Sequence, residues 1–271
     1  MTARGGSHEL SAAELSRDLN VRRVGREITV LSEVDSTNEY AFEVLASTAG
    51  KHADGHVVFA EHQEGGRGRL GRSWHSPRGA SLLFTTLLWE GRPPLSPSWV
   101  IMAAAVAVVR GIEQSTEVEP VIRWPNDIYV GDKKLAGILA ESRAIKRGSR
   151  ALALGVGVNC LQRAAHFPPE IRRAATSLDL ESSRAVDRTA VARAILRNLD
   201  AYFAEPGRVG DDQLVAAWRE HSADVGARVT LLSEGERFTG RIVDVHPADG
   251  LLVQLDTGAR QHLDPATTTR M

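Results

Sequence analysis

The sequence predicts an α+β fold, a mixed β-sheet domain with helices on it followed by a small β-barrel. Three observations carry this. Strand-length and helix-length apolar segments interleave, with hairpins between them, and lack the strict alternation of a doubly wound parallel sheet. From Gly226 the pattern changes to short alternating strands joined by "SEGE", "PADG" and "DTGA", the look of a separate barrel of about fifty residues. The chain has 271 residues, enough for one sizeable core and a satellite domain. Boundaries are expected at 1–24 for an N-terminal extension, 25–223 for the main domain and 224–271 for the barrel.

The elements follow in order. The N-terminal extension offers one helical stretch, about 10–19, and then comes a strand, "EITVLSEV". "STNE" (36–39) has the spacing of a capping box, Ser36 with Glu39, and opens a helix that should turn Tyr40 and Val44 inward. "GHVVFAEHQ" (55–63) reads as a strand, and "GASLLFTTLLW" (79–89) as a second, nearly all-apolar and therefore central one. "SPSWVIMAAAVAVVRGIEQ" (96–114) is a helix packed on a sheet. "VIRWPNDIYVGDKKLAGILAES" (121–142) reads as a strand, a break at Pro125 and a hairpin turning at Gly131-Asp132. "SRALALGVGVNC" (149–160) is another buried strand. An amphipathic helix from about Asp187 to Phe203 and a shorter one at "DDQLVAAWREH" close the main domain.

Composition excludes several classes. Hydrophobic residues are 42% and charged residues 25%, a globular balance. Lysine and arginine number 33 against 34 acidic residues, for a net charge of −1, so any basic patch is local and general polyanion binding is not expected. A lone cysteine, Cys160, rules out an internal disulfide and a thiolate zinc cluster and fits a reducing compartment. There is no secretion-signal pattern, and the longest apolar run, "VIMAAAVAVV", is too short to span a bilayer. A cytoplasmic protein without membrane contact is expected. His52 and His56 are four apart but lack the rest of a ligand set, so no protein-held metal site is expected.

"EGGRGRLGRSW" (64–74) gathers four glycines and three arginines ahead of a tryptophan. Gly66, Gly68 and Gly71 spell GxGxxG, but a strand follows where a dinucleotide fold needs a helix N-terminus. Charge extending along a face, as nucleic-acid binding requires, is missing. The remaining reading is a loop over an anion. Glycines let backbone N–H groups approach, arginines offer forked donors, and Trp74 supplies a ring face. Residues 65–72 are expected to order on ligand binding.

"STN" (36–38), "EHQEGGRGRLGRSW" (61–74), "RWPNDIYVGDKKLAGILAES" (123–142) and "GVGVN" (155–159) together resemble the four motif blocks of biotin protein ligases, in order and spacing. The resemblance extends over residues 25–265 and implies a biotin/lipoate-ligase domain related to class II aminoacyl-tRNA synthetases, followed by an SH3-like β-barrel. It implies activation of biotin by ATP to biotinyl-5′-AMP with release of pyrophosphate, then transfer to one lysine of a biotin carboxyl carrier protein. ATP and biotin are the implied substrates, with Mg²⁺ on the phosphates.

By this resemblance Ser36, Thr37, Asn38, Gln63, Arg67, Gly68, Arg69, Lys134 and Gly137 contact biotin. Arg69, Arg72, Trp74, Asn126, Lys134 and Asn159 contact ATP, and Gly155 and Gly157 allow close approach. Arg69, Lys134 and Asp127 are the implied catalytic residues, with Asp127 orienting Lys134 or receiving the proton of the incoming lysine. Residue by residue, plainer readings stay open: Ser36 as a helix cap, Lys134 as a hairpin surface lysine, Asp127 as a turn residue, Trp124 as core. Leu70 stands where some relatives have arginine. Too few residues precede Ser36 for the winged helix-turn-helix of bifunctional relatives, so no DNA binding is expected. The resemblance also admits a homodimer. A lipoate or octanoate ligase and a biotin-responsive regulator are the alternative readings.

Overall fold

The computed structural model describes residues 9–47, 53–89, 96–144, 150–205, 209–247 and 249–271; His52 lies outside them. Seven strands form one mixed sheet in the order β1-β2-β3-β7-β6-β5-β4. They are β1 (Ile28–Leu31), β2 (Val57–Ala60), β3 (Ser81–Trp89), β4 (Val121–Arg123), β5 (Asp127–Val130), β6 (Lys133–Ala144) and β7 (Arg150–Asn159). Only β1 and β2 pair in parallel; every other neighbour is antiparallel. The centre of the sheet is β3-β7-β6; β3 and β7 are buried along most of their length, as the continuous apolar runs predict, and β6 is buried only near its start.

One face of this sheet carries the long helices. Helix α3 (Pro97–Ser115) begins at Ser96, whose hydroxyl accepts from Trp99 N–H, with proline at the first helical position. Its "VIMAAAVAVV" stretch is buried throughout. Helix α5 (Arg188–Phe203), capped by Asp187 through Thr189 and Ala190, packs beside it, with α6 (Asp211–His221) and the one-turn α4 (Leu178–Glu181) nearby. No helix among the described residues is long and apolar enough to cross a membrane.

The other face receives α2 (Thr37–Ser47). Its inward stripe is Asn38, Ala41, Phe42 and Leu45, whereas Tyr40 and Val44, expected inside, are half-buried. The shift has a cause in the start of the helix. Thr37 and Asn38 are themselves buried against the sheet, which rotates the following residues. Glu39 bonds Arg143 and Arg67 instead of turning back onto the first turn, so it does not complete the capping box.

The described residues ahead of β1 are tied into the core. Helix α1 (Ala12–Ser16) places Leu15 in the main core, joined there by Leu10, Leu19 and Val24. Leu10 N–H donates to Glu61 at 2.5 Å, and Glu61 pairs with Arg188 at 2.8 Å, both side chains only 3% exposed. A charge pair so deep holds only because its remaining valences are met by backbone groups, Ser81 C=O among them.

The C-terminal strands β8 (Arg228–Ser233), β9 (Glu236–His246), β10 (Gly250–Leu255), β11 (Arg260–Leu263) and β12 (Thr268–Arg270) form a five-stranded antiparallel sheet, ordered β11-β10-β9-β8-β12. Its interior residues, Val229, Leu231, Ile242, Val245, Leu251, Val253 and Leu263, merge with the main core, where the strand pattern alone suggests a separate unit. Alternation along the strands reports which side is apolar, but not what that side packs against.

Candidate functional site

The site lies on the α2 face of the sheet, and strand register explains its floor. Thr85 of β3 stands opposite Gly155 of β7, which stands opposite Leu139 of β6; Leu83 and Gly137 flank Gly157 one step along. Side chains alternate, so Gly137, Leu139 and Glu141 share a face with Gly155, Gly157, Leu83 and Thr85. The glycines make the hollow. A Cβ on Gly155 would lie 2.5 Å from Asn38 Oδ1, and one on Gly157 would lie 2.7 Å from Cε2 of Trp74. Two glycines in "GVGVN" thus admit a helix amide and an indole onto the sheet.

The resulting cavity has a volume of about 360 Å³, in the range of small-molecule sites. All the residues expected in the site line it: Ser36, Thr37, Asn38, Gln63, Arg67, Gly68, Arg69, Arg72, Trp74, Trp124, Asn126, Asp127, Lys134, Gly137, Gly155, Gly157 and Asn159.

One end is polar and largely uncharged. Gln63 Oε1 accepts from Thr37 N–H at 2.7 Å and lies 2.9 Å from the Thr37 hydroxyl. Thr85, buried, reaches Thr37 Oγ1 at 2.8 Å and Asn38 Oδ1 at 2.6 Å. Asn38 Nδ2 donates to Glu141 at 2.6 Å. Above this end runs the glycine–arginine segment, closed on itself by Trp74 N–H to Gly66 C=O and Gly68 N–H to Arg72 C=O. Arg67 meets Glu39 at 2.6 Å and Glu141 at 3.4 Å. The hydrogen bonds from Arg143 and then Arg67 hold the Glu39 carboxyl below its ordinary range. The bond to Glu39 in turn raises Arg67.

The other end is cationic. Lys134 Nζ sits 2.7 Å from Asp127 Oδ1 and 5.9 Å from the Trp74 ring centroid. The β5–β6 hairpin sets this, since a register shift at Ile128/Tyr129 pairs Lys134 with Tyr129 while Asp127 faces Gly137. Lys134 is also fixed by its backbone, bonding Ala174 C=O and Thr176 N–H. Its neighbour Lys133 is exposed. Arg69 donates to Asn126 Oδ1 at 3.1 Å and reaches the carbonyls of Pro265 and Thr268 in the C-terminal sheet. Burial disfavours its charge, with Asp127 acting the other way; a guanidinium stays ionised regardless. Arg72 is exposed on the rim. Trp74 Nε1 is buried and has no partner among the described residues, a donor facing the site.

Two predicted residues are already occupied. Asn126 Nδ2 donates to Ile138 C=O, and Asn159 commits its amide to Thr176 C=O and Gln162. Trp124 is both core and cavity wall. The lone cysteine has no part here: Cys160 is buried and its thiol is pushed up to about 12.

Comparison with known proteins agrees with this geometry. Residues 30–159 match the biotin/lipoate A/B protein ligase family. The chain is 34% identical over 241 residues to the biotin--[acetyl-CoA-carboxylase] ligase of Mycobacterium tuberculosis, covering 87% of this chain and 85% of that one. The chain belongs to the biotin protein ligase family. It is also 28% identical over 253 residues to the bifunctional ligase/repressor BirA of Bacillus subtilis, covering 93% of this chain and 77% of the relative. Among solved structures, the biotin protein ligase from Aquifex aeolicus in complex with biotin and ATP superposes with a TM-score of 0.71 at 27% identity. That match covers 91% of this chain and all of the other.

Sequence reasoning missed the outer parts of the site. Thr269 and Arg270, from the C-terminal end, line the cavity, as do Phe167, Ile171, Ala174 and Ala175. Arg270 bonds Asp224 at 2.6 Å, which in turn accepts from Trp124 N–H. Nothing in the motif blocks points to residues so distant in sequence. Glu141 lies within the quoted "LAGILAES" and Thr85 within "GASLLFTTLLW", but neither stretch shows that they meet Asn38.

Proposed function

We propose that this protein activates biotin with ATP to biotinyl-5′-AMP, releasing pyrophosphate, and transfers the biotinyl group to a lysine of a biotin carboxyl carrier protein. The observation that carries the reading is the two-ended cavity. A neutral hydrogen-bonding wall (Thr37, Asn38, Gln63) suits a cyclic urea, and a cationic end (Arg69, Arg72, Lys134) suits a carboxylate meeting a phosphate.

The chemistry needs both ends. A carboxylate acylates an amine too slowly because oxide is a poor leaving group, so it must first attack the α-phosphorus of ATP and expel pyrophosphate. Two anions have to approach, and fixed cations lower that barrier most. In this reading Lys134 and Arg69 stand where carboxylate and α-phosphate meet, Arg72 binds phosphate at the rim, and Trp74 offers its face to adenine. In the second step the carrier lysine attacks the acyl carbon and AMP leaves. Asp127 either keeps Lys134 aimed or takes the proton of the attacking amine.

Mg²⁺ would arrive on the triphosphate. The oxygen donors nearest that end, Asn126 and Asp127, are engaged with Arg69 and Lys134. No group of three or more histidine, cysteine or acidic side chains among the described residues is arranged to hold an ion. Those residues therefore offer no ready cage of their own.

The names of the relatives from M. tuberculosis and Paracoccus denitrificans support an acetyl-CoA carboxylase subunit as the carrier, and a cytoplasmic setting suits an ATP-dependent reaction. The test is isotope exchange between pyrophosphate and ATP with biotin or lipoate supplied. Exchange dependent on biotin alone is expected; exchange with lipoate alone, or with neither, would overturn the reading.

A further inference from the structure

We propose that Glu141, which touches no ligand atom in this reading, is a positioning residue that makes the biotin wall an acceptor of N–H groups. The inference rests on the proposed function. Its basis is the number of hydrogens along one chain of contacts.

Asn38 Oδ1 lies 2.6 Å from Thr85 Oγ1, which lies 2.8 Å from Thr37 Oγ1, which lies 2.9 Å from Gln63 Oε1. Two hydroxyl hydrogens thus serve three oxygen–oxygen contacts. One contact goes without, and the orientation of the Asn38 amide decides which arrangement holds.

Glu141 sets that orientation. Its ionised carboxylate only accepts, so the group of Asn38 facing it at 2.6 Å must be Nδ2. Asn38 Oδ1 then faces Thr85, and the single Thr85 hydrogen is drawn to it. The Thr37–Gln63 end is left one hydrogen short, with a lone pair that a ligand N–H can fill. A cyclic urea carries two such groups.

Without an acceptor at position 141 the Asn38 amide is free to turn over. Nδ2 would donate to Thr85, Thr85 to Thr37, and Thr37 to Gln63. Every contact would then hold a hydrogen, and Thr37 Oγ1, which keeps both lone pairs free in the other arrangement, would have one of them filled by Thr85. The flipped chain leaves the wall one acceptor poorer at Thr37, so the carboxylate is what keeps that lone pair open to ligand. The placement of Glu141 fits this role. It shares the floor face with Gly137 and Leu139, its side chain is 31% exposed, and Arg67 lies 3.4 Å from the same carboxylate oxygen that meets Asn38.

The test measures biotin affinity of the full chain by titration calorimetry, with thermal unfolding of each variant alongside. Glu141→Ala is expected to weaken binding at least about tenfold, the scale of a buried acceptor mis-set, with little change in unfolding temperature. Glu141→Gln should stay within about threefold of wild type, because Arg67 at 3.4 Å favours its amide oxygen in the same place. Thr85→Val breaks the same chain at its middle. A turned amide can then no longer fill Thr37, so adding Glu141→Ala to Thr85→Val should cost no further affinity. Unchanged affinity in Glu141→Ala, equal losses in Ala and Gln, or additive losses in the double variant would overturn the positioning role alone. Wild-type protein that does not bind biotin would overturn the proposed function, and this inference with it.

Discussion

Replacing Lys134 with alanine separates the two half-reactions. The side chains of Lys134 and Asp127 are 32% and 23% exposed, so solvent screens their pairing and its share of fold stability is at most about 1 kcal/mol. In a chain of this size that amounts to a few degrees in unfolding temperature. The same ammonium, fixed by hairpin and backbone at the cationic end, is worth far more to an anionic transition state. Losing one preorganised donor typically costs about 3–4 kcal/mol, a slowing on the order of a hundredfold to a thousandfold. Adenylate formation should therefore fall by that factor in Lys134→Ala, while transfer from supplied biotinyl-AMP suffers less because the anhydride already exists. Asp127→Asn should show the reverse emphasis if the carboxylate accepts the lysine proton. The assay is single-turnover kinetics of each half-reaction, by rapid quench, on both variants. Equal losses in both steps for both variants would mean that the pair only shapes the pocket, and the assignment of roles would fail.

Gly157→Ala places a methyl group 2.7 Å from Trp74 Cε2 and must displace the indole; KM for ATP should rise on the order of tenfold, equivalent to about 1.4 kcal/mol, and an unchanged KM would remove Trp74 from the nucleotide site. Arg188→Met leaves Glu61 charged in the core, and urea unfolding should show a loss of about 3–5 kcal/mol; a loss under about 1 kcal/mol would show that the pair contributes no net stability. His56, buried against Thr29, has its pKa lowered from the ordinary 6.5 by desolvation, with Glu27 opposing. Its imidazole is neutral in the fold while the unfolded chain takes up a proton first. Its contribution is therefore complete above about pH 6.5 and is lost as pH falls toward the folded value. The urea midpoint should drop more between pH 7 and pH 5 in wild type than in His56→Gln; parallel profiles would refute it.

Local structure and the chemical inventory were legible in the chain before any fold was known. Apolar character marked β3 as a central strand and α3 as a helix packed on a sheet, the amphipathic pattern marked α5, and Gly131-Asp132 marked the hairpin carrying Asp127 and Lys134. The motif blocks supplied many of the residues that line the cavity, the glycine–arginine loop among them, but not Phe167, Ile171, Thr269 or Arg270. What those residues face was settled by folding. Strand register brought Gly155 under Asn38 and Gly157 under Trp74, and a contact between strands distant in sequence leaves no period in the chain. Burial of Thr37 and Asn38 rotated α2 so that Tyr40 and Val44 moved outward. Arg69 found carbonyls in the C-terminal sheet, and Glu141 found Asn38 and Arg67, through pairings that hydrophobic pattern cannot encode. Periodicity reports the side of an element that avoids water; the partner on that side is chosen by packing over the whole chain.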